Sequence, residues 1–177
     1  MRRWAMAMAV LMLVGVGVQD EAWGEAPDDV EVRQDRLVVD ERGVEVERPT
    51  GWEWVQPPQG ARAKLRSASD ERAQIEIRVS EDISRGGWER YWRAFDTDLQ
   101  RRGFTEVRRR ESQTYAEKQG LAFEYQIGGR EEDGQRLVVW HVHHEEAAWV
   151  FTGFFKESRR EAFGRSFEEM LESIEWR

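Results

Sequence analysis

An α+β fold, with an antiparallel sheet carrying helices packed on both of its faces, is what this chain predicts, and three observations predict it. Several short segments alternate apolar and charged residues, as strands with one buried and one wet face do. Two segments, RLVVWHVHH and AWVFTGFF, are apolar on both faces, as central strands covered on two sides are. Two further stretches place their apolar residues at helical spacing and supply the covering layers.

The N-terminal residues read as a leader. Arg2 and Arg3 precede a run from Ala5 to Val18 that is apolar apart from two glycines, and QDEAWGEAPDD follows it. This is the three-part layout of a secretory signal peptide. Ala22-Trp23-Gly24 fits a small-x-small cleavage site, so residues 1–24 are expected to be removed, leaving Glu25 first. The run is 14 residues long, short of the ~20 that span a bilayer. The chain is therefore expected in the periplasm or outside the cell, with no stable membrane span once cleaved; an uncleaved anchor is the alternative. Residues 25–35, EAPDDVEVRQD, are acidic and lack a sustained pattern, and read as a linker. A single domain is expected over residues 36–177.

Within it, RLVVD and VEVER are short strand signals around the turn ERG, and Pro49 and Gly51 end the second. ARAKLRSA (61–68) and AQIEIRVS (73–80) alternate around the turn SDE, with charges on the outward face. The period then changes. Trp88, Tyr91, Trp92, Phe95 and Leu99 recur as one face of a helix that Gly103 stops. Burying such side chains is worth about 1.5–3 kcal/mol each, so this helix must dock on apolar surface. FTEVRRRE reads as a polar edge strand and LAFEYQIG as a cleanly alternating one. GREEDGQ and HEEA are turns around the two apolar strands. Ser158 and Glu161 form an S-x-x-E capping box ahead of a helix bearing Phe163, Phe167, Met170, Leu171 and Ile174.

Composition removes several classes of function. The net charge is −8, and a nucleic-acid partner, which needs a basic face, is not expected. The arginines at 101, 102, 108, 109 and 110 are interrupted by Glu106 and Glu111 and read as a solvated surface. The absence of cysteine excludes disulfides, thiol nucleophiles and a lipoprotein anchor. No G-x-S-x-G accompanies the serines, and no phosphate-binding loop is present. No catalytic residue is assigned, no cofactor is implied, and an enzyme is not expected.

VEVERPTGWEW resembles the opening strand and Pro-x-Gly-Trp corner of PsbP-like and Mog1-like domains. The order that follows is similar as well: a strand pair, an aromatic helix, the segment QGLAFEYQIG, a hairpin, and a closing amphipathic helix ending in SIEW. The resemblance covers residues 36–177. It implies an α/β/α sandwich and an accessory role: members bind photosystem II, a Ran-type GTPase or secreted effectors, and they are not known as a catalytic family.

Two constellations are candidate sites. RPTGWEWVQPPQG (48–60) holds three of the four prolines beside Trp52 and Trp54. Trp52 reads as a core residue where the chain turns onto the sheet, and Trp54 shares its strand face; the functional alternative makes Trp52 and Trp54 a binding platform for peptide or sugar. All three histidines lie in HVHH. His141 and His143 share a strand face and could ligate zinc, nickel or copper, with Glu124, Glu145 or Glu146 as a third ligand; ordinary strand-end histidines are the structural alternative. The functional expectation is an exported, non-catalytic accessory or binding protein of the bacterial envelope, acting through contact with another, unidentified envelope protein. Its contact surface would be the 52–60 corner, the edge of the aromatic helix or the hairpin at 143–147. One alternative is a small apolar ligand held between helix and sheet, beneath Trp88–Leu99. Another is a metal-binding domain using His141 and His143.

Overall fold

The computed structural model describes residues 30–33, 35–39, 44–80, 83–84, 86–128 and 134–176. The leader over residues 1–24 and the first part of the expected linker lie outside them. The strands are β1 (Val30–Arg33), β2 (Arg36–Val39), β3 (Val44–Glu47), β4 (Trp52–Val55), β5 (Ala63–Ser67) and β6 (Asp70–Ser80), then β7 (Thr105–Tyr115), β8 (Lys118–Ile127), β9 (Gln135–His144), β10 (Ala147–Lys156) and β11 (Glu175–Trp176). Helix α1 (Trp88–Arg101) joins β6 to β7, and α2 (Arg160–Glu172) joins β10 to β11.

Every strand pair is antiparallel. Seven strands form one sheet in the order β4-β5-β6-β10-β9-β8-β7, and four form a smaller one, β1-β2-β3-β11. The period-two pattern of β9 and β10 divides their side chains between two cores. On one face Leu137, Val139 and Val150 pack with Phe123, Tyr125, Leu99 and the aromatic stripe of α1. On the other, Trp140, Val142, Trp149 and Phe151 pack with Phe163, Phe167, Met170 and Leu171 of α2 and with Val44 and Val46 of β3. The large sheet thus carries a helix on each face, as its doubly apolar strands predict.

The end of α1 follows from two residues. Gly103 takes φ +86°, a left-handed value that favours glycine. Its N–H donates to the Gln100 carbonyl (3.0 Å), and the next N–H, of Phe104, donates to Leu99 (3.1 Å). This is a Schellman closure, with Phe104 and Leu99 in one core as its apolar contact.

Three expectations need correction. Order begins before Arg36, because Val30–Arg33 pairs with Arg36–Val39 and takes part of the expected linker into a strand. The capping box does not form: Arg159 is the N-cap of α2, and no side chain caps it, since Ser158 lies in the 3-10 turn ahead of it. The outward face of β6 is not wet along its whole length: Arg72 is exposed, but Glu76 and Arg78 are buried. They pair at 2.9 Å, with Lys64 3.7 Å from the same carboxylate. Alternation identifies a polar residue but not its solvent, and on an inner strand the neighbours replace water.

Candidate binding trough

Helix α2 settles over β10 because Gly153 leaves room for it. A Cβ at that position would lie 2.8 Å from Val138 Cγ2 and 3.1 Å from the Phe167 ring. With α2 held there, part of the face formed by β8 and β9 stays uncovered, and a trough of about 620 Å³ runs between it and the helix. Its floor is apolar: Ala122, Val138, Trp140, Phe155, Phe167 and Leu171. Trp140 is held in place by its surroundings. Its indole lies against Gly120 of β8, where a Cβ would approach Nε1 to 2.5 Å. Nε1 donates to the Gln113 carbonyl at 3.4 Å, and Tyr115 meets the indole edge-on with centroids 5.3 Å apart.

The walls are charged. Arg108 (3.3 Å) and Arg160 (2.8 Å) share Glu124 across the trough, one from β7 and one from α2. Buried Arg136 donates to Glu157 at 2.6 Å, which holds that carboxyl below the usual carboxylate range. Arg165 pairs with Glu161 one turn back on α2. At the other end Arg110 donates to the neutral Gln113 side chain (2.9 Å) and has no carboxylate partner among the described residues. Glu168, on the opposite wall, likewise makes no ion pair among them. Tyr115 lines the same trough and feels both charges. Burial first, and then Glu168, push its hydroxyl up to about 12, while Arg110 opposes them. The arrangement offers apolar contact with charge pairing on either side.

The residues singled out from the sequence lie elsewhere. Trp52 is 2% exposed and meets Phe163 edge-on, so it is a core anchor with no surface to offer a partner. Trp54 is half-buried against the same core, with Nε1 enclosed and unpartnered. His141 and His143 do share a face, and both ring edges meet Trp88. His141 is sealed from solvent among Tyr91, Phe95 and Phe123, neither ring nitrogen is hydrogen-bonded, and burial pushes its pKa down to about 3. His143 donates from Nε2 to the Ile83 carbonyl at 2.6 Å. Among the described residues no group of three or more His, Asp or Glu is placed to hold a metal ion. The aromatic stripe of α1 fills the space where a ligand pocket was expected, and the trough belongs to the other face of the sheet. Sequence reasoning passed over the trough. Its one sequence signal is Gly164, a glycine inside an otherwise regular helical pattern.

Comparison with known proteins places the architecture. Over 92% of this chain and 99% of the other, it is similar to the solution structure of cyanobacterial PsbP (CyanoP) from Synechocystis sp. PCC 6803, with a TM-score of 0.59 at 15% identity. It is similar to the Saccharomyces cerevisiae Ran-binding protein Mog1p over 75% of this chain and 89% of that one, with a TM-score of 0.53 at 8% identity. A third likeness is to LpqN, involved in cell envelope biogenesis of Mycobacterium tuberculosis, over 75% and 82% of the chains, with a TM-score of 0.52 at 10% identity. The fold is PsbP/Mog1-like. No protein-family model matches the chain, and no curated protein does.

Proposed function

We propose that this chain is an exported, non-catalytic binding protein of the bacterial envelope that holds a segment of another protein in the trough between α2 and the large sheet. The carrying observation is the trough itself: an apolar floor, charged walls and an opening to solvent along one helix. Four of the floor residues, Trp140, Phe155, Phe167 and Leu171, are buried; Ala122 and Val138 are half-buried and keep the apolar surface there that a partner can touch. Two likenesses support the reading, one to a Ran-binding protein and one to a protein of envelope biogenesis. The leader read from residues 1–24 supports export, and among the described residues no helix is long and apolar enough to cross a membrane.

A photo-crosslinking side chain at Arg165, on the trough wall, tests the site against one at Arg93, an exposed position on α1. A specific adduct from Arg165 that Gly164→Trp eliminates is expected. Equal labelling from both positions would refute the assignment. Fractionation of the producing cell, with the mass of the released chain, tests export: the expected product begins at Glu25.

A further inference from the structure

Three arginines converge on Glu124. Arg108 of β7 donates to its Oε1 at 3.3 Å and Arg160 of α2 to its Oε2 at 2.8 Å, while Arg136 of β9 lies 3.9 Å from the same Oε2. Three elements thus hold cations around one planar, two-oxygen acceptor, and the chain's own side chain shows which group fits there: a carboxylate. Glu157 takes up Arg136, the most buried of the three, at 2.6 Å. Two acids answer three bases, and the other charges lining the trough, Arg110, Arg165, Glu161 and Glu168, cancel in number. One positive charge is left in excess at this place, on a chain whose net charge is −8.

That excess can be reached. The side chains of Arg108 and Arg160 are 47% and 46% exposed. Each guanidinium carries five N–H donors and turns one nitrogen to Glu124; among the described residues neither meets another acceptor. Both are tied to one carboxylate, so a second, incoming carboxylate can meet both. Strand register places the apolar surface beside them. Ala122 stands two residues from Glu124 on the same face of β8, and Val138 is paired directly with Glu124 on β9. Both line the trough and both are half-buried.

We infer that the trough takes an extended polypeptide segment presenting an acidic side chain and, two residues away, an aliphatic one. The carboxylate bridges Arg108 and Arg160, and the aliphatic group lies on Ala122 and Val138. In an extended chain, residues two apart project to the same side about 7 Å apart, which is the relation of Glu124 to Ala122 itself. Small floor residues suit an aliphatic group, which needs no deep pocket. This inference rests on the trough being the binding site.

The test uses the capped peptide Ser-Val-Ser-Glu-Ser-Val-Ser, titrated into the isotope-labelled chain. A valine on each side of the glutamate lets either chain direction reach the floor. The readout is the methyl resonances of Ala122 and Val138. Expected are saturable shifts at both, lost when the two valines are replaced by serine. Glu→Gln in the peptide should weaken binding about three- to tenfold, the range of two exposed ion pairs. Arg108→Gln and Arg160→Gln should each weaken it about two- to fivefold and leave the Gln peptide unaffected. Glu124→Gln removes the internal competitor and should tighten the Glu peptide by a similar factor, a gain that a loosened fold does not give. Weaker or unchanged binding to that variant would overturn the carboxylate clamp. If the Gln peptide binds the parent equally well, the clamp is wrong while the trough stands. If the crosslink at Arg165 forms but neither peptide shifts the methyl groups, the segment is wrong and the trough stands; if neither signal is seen, both readings fail. If free acetate binds as tightly as the peptide, the polypeptide occupant is overturned. Unchanged amide spectra elsewhere establish that each variant is folded.

Discussion

Protonation of His141 is where single-residue chemistry reaches stability. The ring is fully buried among aromatics, and its pKa is pushed down to about 3 from an ordinary 6.5. Above pH 6.5 it is neutral whether the chain is folded or not, so nothing is lost. Below 6.5 the unfolded chain takes the proton and the folded one does not. Stability then falls by up to about 1.4 kcal/mol per pH unit until the folded-state pKa near 3 is reached. In His141→Phe this limb is expected to be absent, so its stability relative to the parent, from urea melts, should rise steadily from pH 6.5 downward. A constant difference between pH 7 and 4 would remove His141 from the acid response. A second prediction concerns Gly120. An added methyl group there would overlap the His141 carbonyl oxygen and Trp140 Nε1. Because one of those neighbours is backbone, it yields little. Gly120→Ala is expected to cost about 3 kcal/mol, with the Trp140 indole N–H resonance displaced.

Among the elements, the turns and α2 reveal what pattern could and could not convey. The edge strand β7, the alternation of β8 and the doubly apolar β9 and β10 were legible, because exposure on both faces, on one face and on neither leaves three different residue patterns along a strand. The chemistry of the tight turns was not. Ala116-Glu117 and Glu145-Glu146 all take positive φ, the geometry of type I′ hairpins, which Asn-Gly announces and these residues do not. Glu117→Gly, at φ +64°, is therefore expected to stabilise the chain by about 1 kcal/mol, read as a higher melting temperature. Gly164→Ala should do the same for α2, by about 1 kcal/mol, since its new methyl group meets nothing. A fall in stability there would show that the helix needs the glycine for its own packing. The trough was illegible for a related reason. It arises from where α2 comes to rest, set by the Phe167–Gly153 contact, and no periodicity within α2 encodes that position. Trp52 stood out as a large aromatic in a proline-rich corner, and the histidines because all three lie in one strand, yet Trp52 and His141 are both buried core residues.

At the scale of the molecule, the two cores share the strands β9 and β10, so they are expected to melt together. Leu99→Ala weakens the core under α1 and Leu171→Ala the core under α2; both are fully buried. Each is expected to cost about 2–5 kcal/mol and to lower one common transition, followed identically by far-ultraviolet dichroism and tryptophan fluorescence. Separate transitions would show that the sheet does not couple its faces. The strand order also carries a meaning in time. β4, β5 and β6 join by neighbouring turns, and so do β7 to β10, but within the sheet the two halves pair only along β6 and β10, from Ser80 with Ala148 to Gln74 with Phe154. The smaller sheet repeats the device, for β3 waits on Trp176 to pair with Val44. Contacts so distant along the chain form late, because a long loop must close before they repay it. A ribosome delivering this chain from its N-terminus can finish neither sheet until the last strands emerge.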